Sequence, residues 1–543
     1  MPNAICKVVK PKNEEVLSYL PGSKERISLK AKLKEMQKTS MELPLIIDGK
    51  EVHTGKMGTC IIPHHKEHVL ATYHMAGEKE VERAIQAALK AKKEWENTPW
   101  EHRISVFLKA AELISQPWRD TLNAATMLGQ SKTVYEADAD SACEIQDFFR
   151  YNSYFVSQIL QEQPECIPGI FNRIEYRPLE GFVFAVTPFN FTAIGGNLPS
   201  TPAMVGNTVV WKPASSAIYS NYFLMKVLQE AGLPDGVINF IPGPGNVVGP
   251  MVMSHKMLAG IHFTGSTETF NHMWRTVAQN LGNYIGYPRI VGETGGKDFV
   301  FAHHSADIDA LVTALVFGGF SFQGQKCSAT SRVYIPHSIW PSVKNKLLDQ
   351  VSTIKLGDVE DFTNFMGAVI DQNAFNSIKS YIDYARTSDE AEIIFGGKCD
   401  DRVGFFIEPT VIVTTNPRFK TMEEEIFGPV VTIYVYKDQE LEEALDLCEQ
   451  TSKYALTGAI FSQDRKAIID MEKRLSNAAG NLYINDRTTG AFVGLQPFGG
   501  ARASGTNEKV GSKQNVSRWM SPRTIKETFN PSKKFSLDLM TEK

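Results

Sequence analysis

The sequence predicts an α/β protein built from two parallel-sheet units and a small β element left over from them. Three observations predict it. Between 181 and 281, short apolar runs alternate with helical tracts at the spacing of βαβ units. The alternation begins again near Arg289. Two strand-like stretches, 164–181 and 521–529, belong to neither series. A chain of 543 residues is also too long for one compact core.

The elements follow in order. ELPLIIDGKEVHTG alternates as a strand pair about the Asp48-Gly49 turn. Val81, Ile85, Ala88 and Leu89, then Trp95, share one helical face, and the same spacing resumes in SVFLKAAELI. Residues 141–160 read as an amphipathic helix with Glu144 and Asp147 set among apolar residues. ECIPGIFNRIEYRPLEG has turn residues at Pro168-Gly169 with strand formers on both sides, the pattern of a β-hairpin. The first α/β series has strands in GFVFAVTPFN, GNTVVWKPA, VINFIPGPG and GIHFTGS, with helices at 222–231 and in TETFNHMWRTVAQNL. The second opens on GETGGKD and continues through the helix HSADIDALVTALVFGGF, the strand RVYIP, a helix from Ile339, and the strands TIYVY and GAIFS. The hairpin and the tail strand SPRTIKETF leave exposed edges, which usually find a partner.

Composition excludes several classes. The formal net charge is −4, with both signs interspersed, so nothing attracts nucleic acid or an anionic membrane. No apolar run is long enough to span a bilayer. MPNAICKVVKPKNEEVLSYL lacks the core of a signal peptide, and Glu14 and Glu15 argue against an acid-poor transit peptide. The seven cysteines lack CxxC spacing, so they read as reduced intracellular thiols, mostly core filler, with no metal motif.

A few residues suggest chemistry. Gly243, Gly245 and Gly249 in PGPGNVVG, and Gly265 and Ser266 in FTGSTETF, lie at strand–helix turns where free N–H groups can hold a phosphate. Each is weak alone, and the first departs from the dinucleotide fingerprint. Lys212 follows the strand TVVW, Glu293 sits in an unshielded glycine loop, and Asn190 ends a buried-looking strand. Cys327, in FQGQKCSATSR, is either a nucleophile or one more buried thiol.

Together these residues resemble the aldehyde dehydrogenase superfamily over 43–529. The motifs are PFNF (Pro188, Phe189, Asn190, Phe191), WKPAS (Lys212, Ser215), FTGSTE, ETGGK, GQKCSA, EEIFGP (Glu425, Phe427) and PFGGARASG (Phe498). Glu293 lies 34 residues before Cys327, the family's spacing. The resemblance implies two Rossmann-like parallel-sheet domains plus a small β oligomerisation element. It divides the chain into an N-terminal segment with the first part of the NAD-binding domain (1–162), an oligomerisation hairpin (163–180) and the NAD-binding domain (181–288). The catalytic domain (289–490), a return with the substrate loop (491–518) and a C-terminal oligomerisation strand (519–543) follow.

Within the family, FNFTAIGGNLP and NLYINDRTTGAFVGLQPFGG are most similar to members that oxidise L-glutamate γ-semialdehyde to L-glutamate with NAD⁺ in proline catabolism. The resemblance implies Cys327 as nucleophile, Glu293 as base and Asn190 with the Cys327 N–H as oxyanion donors. Lys326 and helix-terminal N–H groups are expected to raise the thiolate fraction. Cofactor contacts are implied for Pro188, Phe189, Lys212, Ser215, Gly265, Ser266, Glu425 and Phe427. Substrate contacts are implied for Ser328, Gly490 and Ala491 toward the carboxylate, Phe498 and Phe191 toward the aliphatic part, and Glu144 toward the ammonium. Ala491 stands where relatives often carry Ser, and Ser215 where many NAD-specific members carry Glu. A homo-oligomer in the mitochondrial matrix is implied, although no transit peptide is visible. The alternatives are a dehydrogenase for another ω-semialdehyde, such as succinate semialdehyde, and a non-catalytic NAD-binding scaffold.

Overall fold

Two seven-stranded sheets organise the molecule, seen in a computed structural model that describes residues 6–540. The first contains Phe182–Val186, Thr208–Lys212, Ile238–Phe240, Leu258–Thr264 and Arg289–Glu293, all parallel. The pair Leu45–Ile47 and Lys50–Val52 turns at Asp48-Gly49 and extends it antiparallel. The runs in these strands are continuously apolar because helices cover both faces. Thus Phe182 and Phe184 pack into one core cluster while Val183 and Ala185 pack into another.

The second sheet orders Ala391–Phe395, Thr410–Thr414, Val430–Tyr436, Thr330–Pro336, Asp298–Ala302, Thr457–Phe461 and Asn481–Ile484. It too separates two cores, with Phe299 and Phe301 on one face and Val300 and Ala302 on the other.

Three sequence readings need correction. The strand carrying Glu293 pairs in parallel with Leu258–Thr264, so it closes the first sheet rather than opening the second. The stretch around Pro168-Gly169 is no hairpin. Its single long strand, Ile170–Pro178, pairs antiparallel with Met520–Thr528, so both leftover pieces form one ribbon. The turn signal was real, since Gly169 has φ of 82°, but it leads into a strand whose partner is distant in sequence. The helix at 141–160 starts earlier, as a π-helical stretch, Asp138–Glu144, running into Ile145–Leu160.

Candidate active site

The parallel strands of the first sheet end together, and seven of the candidate residues lie at or just beyond their C-terminal ends. Val186, just before Pro188, Phe189 and Asn190, stands opposite Lys212, and Thr264, just before Gly265 and Ser266, stands opposite Glu293. A crevice along this edge is where a parallel sheet binds a dinucleotide. The residues fit one. Lys212 Nζ bonds only to the adjacent Pro213 carbonyl (3.1 Å) among the described residues, and burial brings its pKa down to about 8. Its side chain lies beside Gly245, where the helix Gly245–Ser254 begins. Ser266 caps the helix Thr267–Gln279 by accepting from the Thr269 N–H, leaving a helix N-terminus at the same edge. Ser215 is exposed and its hydroxyl meets the Tyr73 phenol.

The second sheet presents its N-terminal edge. Cys327 precedes Thr330–Pro336, and Glu425 and Phe427 precede Val430–Tyr436. Glu425 accepts from the Gly296 N–H (2.9 Å), and burial raises its pKa to about 7. Gly296 also packs under the loop that carries Cys327, since a Cβ there would lie 2.0 Å from the Cys327 carbonyl. Phe427 meets Phe189 edge to face, with ring centroids 5.7 Å apart, joining the two edges.

Cys327 follows a tight turn, Ser321–Gly324, in which Phe322 and Gln323 both have left-handed φ values of 49° and 56°. Gln323 holds that turn by donating to the carbonyls of Ser131 (3.0 Å) and Ala368 (2.8 Å) and accepting from the Gly367 N–H (2.9 Å). Asn190 is buried and donates to the Gln325 carbonyl (3.1 Å), which brings its amide to the loop that carries the thiol. Beneath it lies a buried ion pair, Lys132 to Asp140 at 2.8 Å. Asp140 also accepts from the N–H groups of Thr192 and Ala193, while Lys132 Nζ sits 4.0 Å from the Phe191 ring centroid and 4.5 Å from that of Phe322. QSKTV and DADSA gave no sequence signal for this pair.

Lys326 does not activate the thiol. Its ammonium pairs with Glu136 (2.8 Å) and donates to the Ser321 hydroxyl (3.0 Å), and no helix begins at Cys327. Burial pushes the Cys327 pKa well up, and Asp298, Glu293 and Glu425 push it further. Glu293 accepts from the Gly500 N–H (3.3 Å), and burial raises its pKa well above the ordinary carboxylate range.

One cavity of about 210 Å³ brings the chemistry together. Its lining includes Cys327, Glu293, Ser328, Glu144, Phe191, Gly490, Ala491 and Phe498. Gly490 adopts φ of 99°, and a Cβ there would crowd the Arg487 guanidinium at 3.0 Å. Arg487 itself lines the cavity, stacks on Phe317 and donates to the Thr489 carbonyl, a contribution the sequence reading missed. Most acids in the wall are already engaged. Glu136 pairs with Lys326, Asp140 with Lys132, and Glu14 with Arg119 and Arg150. Among the described residues Glu144 has no hydrogen-bond or ion-pair partner, and burial with nearby Asp140 pushes its pKa up to about 8. A cation entering the cavity would favour the charged form of this carboxyl.

The family model for the aldehyde dehydrogenase family matches residues 52–525. The chain belongs to the aldehyde dehydrogenase family. Its relatives in that family include a Dictyostelium discoideum protein named Delta-1-pyrroline-5-carboxylate dehydrogenase, mitochondrial, 50% identical over 99% of this chain and 97% of that one. The human protein of the same name is 47% identical over 96% of this chain and 93% of that one. The aldehyde dehydrogenase fold here also superposes on the crystal structure of the Delta-pyrroline-5-carboxylate dehydrogenase from Mycobacterium tuberculosis bound with NAD, with a TM-score of 0.96, 46% identity, and coverage of 99% of this chain and 100% of that one.

Proposed function

We propose that the protein oxidises L-glutamate γ-semialdehyde, the open form of Δ1-pyrroline-5-carboxylate, to L-glutamate with NAD⁺. The observation that carries this reading is the unpartnered Glu144 in the same cavity as Cys327 and the Gly490-Ala491 backbone. An α-amino acid aldehyde needs both a carboxylate partner for its ammonium and donors for its own carboxylate. The names of the Dictyostelium and human relatives support the same substrate.

In the reaction, Cys327 Sγ bonds to the aldehyde carbon as the thiol proton passes to Glu293. Burial, and after it the neighbouring carboxylates, disfavours the thiolate, so attack and proton loss are coupled. The new oxyanion takes hydrogen bonds from the second N–H of the Asn190 amide and from the Cys327 N–H. NAD⁺, when bound along the Lys212, Gly265, Ser266 and Glu425 edge, supplies the two-electron acceptor. The acyl group then remains on Cys327 as a thioester. Glu293, having released its proton, takes another from a water whose oxygen adds to the thioester carbon, and Cys327 leaves as thiolate. Ser328, Gly490 and Ala491 hold the substrate carboxylate, and Phe498 and Phe191 cover its methylene groups.

We also propose a homo-oligomer docked through the ribbon of Ile170–Pro178 and Met520–Thr528, because an isolated two-stranded ribbon is marginally stable alone. The compartment proposed is the mitochondrial matrix, supported by the relatives' names; no described helix is long and apolar enough to cross a membrane.

The test is NADH formation by the purified protein with Δ1-pyrroline-5-carboxylate and NAD⁺. Cys327→Ala is expected to lower kcat by about a thousandfold or more while the Kd for NAD⁺ changes less than about twofold. Near-normal turnover by Cys327→Ala, or no NADH from the wild type, overturns the reading.

A further inference from the structure

Residues 13–19 form a strap that precedes the stretch matched by the family model, which begins at residue 52. Glu14 and Val16 nevertheless line the same cavity as Glu144, Gly490 and Ala491. The strap is held by two buried carboxylates. Glu14 N–H donates to Asp147 (2.9 Å), Leu17 N–H to Asp138 (2.8 Å), and the Tyr19 hydroxyl to Asp138 (2.8 Å). Glu14 is consumed by Arg119 (3.2 Å) and Arg150 (2.7 Å), so it offers no charge to a substrate.

Asn13 is different in kind. Its Nδ2 donates both to Asp147 (2.8 Å) and to the Val493 carbonyl (2.9 Å), and its Oδ1 accepts from the Tyr151 hydroxyl (3.2 Å). Asp147 lies one helical turn beyond Glu144, and Val493 lies two residues beyond Ala491. One planar amide therefore ties the helix bearing the unpartnered carboxylate to the loop bearing the backbone donors. That loop needs a tie, since Gly490 and Gly494 both take left-handed φ (99° and 77°) and Phe492 and Leu495 are exposed.

We propose that the strap is a specificity element, with Asn13 a positioning residue that holds the Glu144 helix and the 490–493 loop at the separation an α-amino acid aldehyde requires. This rests on the substrate reading above and deepens it. A simple aldehyde such as pentanal, with neither charged group, does not depend on that separation.

The experiment measures kcat/KM for Δ1-pyrroline-5-carboxylate and for pentanal, product inhibition by glutamate, and the KM for NAD⁺. Asn13→Ala is expected to cost about tenfold or more in kcat/KM for the amino acid aldehyde, through KM, and to weaken glutamate inhibition by the same factor. Pentanal turnover and the KM for NAD⁺ stay within about twofold. Tyr19→Phe, which removes a strap bond remote from the loop, lowers Tm without moving the ratio of the two substrates. Should Asn13→Ala fail to fold, Asn13→Ser is measured in the same way. An unchanged ratio, or equal losses on both aldehydes, overturns the proposal while leaving the substrate reading standing. A wild type that oxidises pentanal but not the amino acid aldehyde overturns both.

Discussion

At the scale of single residues, Glu144, the proposed partner of the substrate ammonium, shows how a side chain can cost stability in the free protein. Burial, with Asp140 adding to it, raises its pKa from 4.5 to about 8. Between those values the unfolded chain has released a proton that the folded chain keeps. The group's contribution to stability is thus fully present below pH 4.5 and is lost as pH rises through 8. Glu144→Gln removes that loss, and calorimetry should find its Tm gain about 1–2 °C larger at pH 8 than at pH 5. Equal shifts at both values would sink the argument. A bound ammonium favours the charged form, so the same variant should weaken glutamate binding by about tenfold.

Among the elements, the turn Ser321–Gly324 gives Cys327 its position at a conformational cost. Phe322 and Gln323 in left-handed conformations cost on the order of 1 kcal/mol each. The Gln323 amide offsets that through its bonds to Ser131, Ala368 and Gly367, all buried. Gln323→Ala leaves those groups without partners and should cost about 2–4 kcal/mol in urea unfolding, with kcat falling and NAD⁺ affinity kept. Gln323→Gly should recover about 1 kcal/mol of it by relieving the backbone. If Ala and Gly behave alike, strain at this turn is not what the amide offsets.

For the whole molecule, the decisive arrangement is that the C-terminal edge of one parallel sheet faces the N-terminal edge of the other. Glu293 and Asn190 arrive from the first edge, Cys327 and Glu425 from the second, and the Asn190 bond to Gln325 spans 135 residues of chain. The ribbon stands apart from both sheets, and its end exposes Ile167, Phe171 and Phe529. Phe171→Glu should shift analytical ultracentrifugation toward smaller species with kcat per chain changed less than about twofold. An unchanged distribution would remove the ribbon from assembly.

The sequence by itself determined the α/β class and the two series of strands, and it marked Cys327, Glu293 and Asn190 as the candidate residues, because strand and helix periods and short motifs are local signals. It also marked the Gly169 turn and both leftover strands. Only the tertiary structure decided that those strands pair with each other, that Glu293 belongs to the first sheet, and that Lys326 pairs with Glu136 instead of facing the Cys327 thiol. Periodicity reports that a face is buried, never against what, so a strand's partner 342 residues away, Met520 opposite Pro178, leaves no trace in either stretch. The same holds for side chains. Lys132 beneath Phe191 and Asn13 on Val493, 480 residues apart, are ordinary polar residues until folding brings their partners within hydrogen-bond or ring-contact reach.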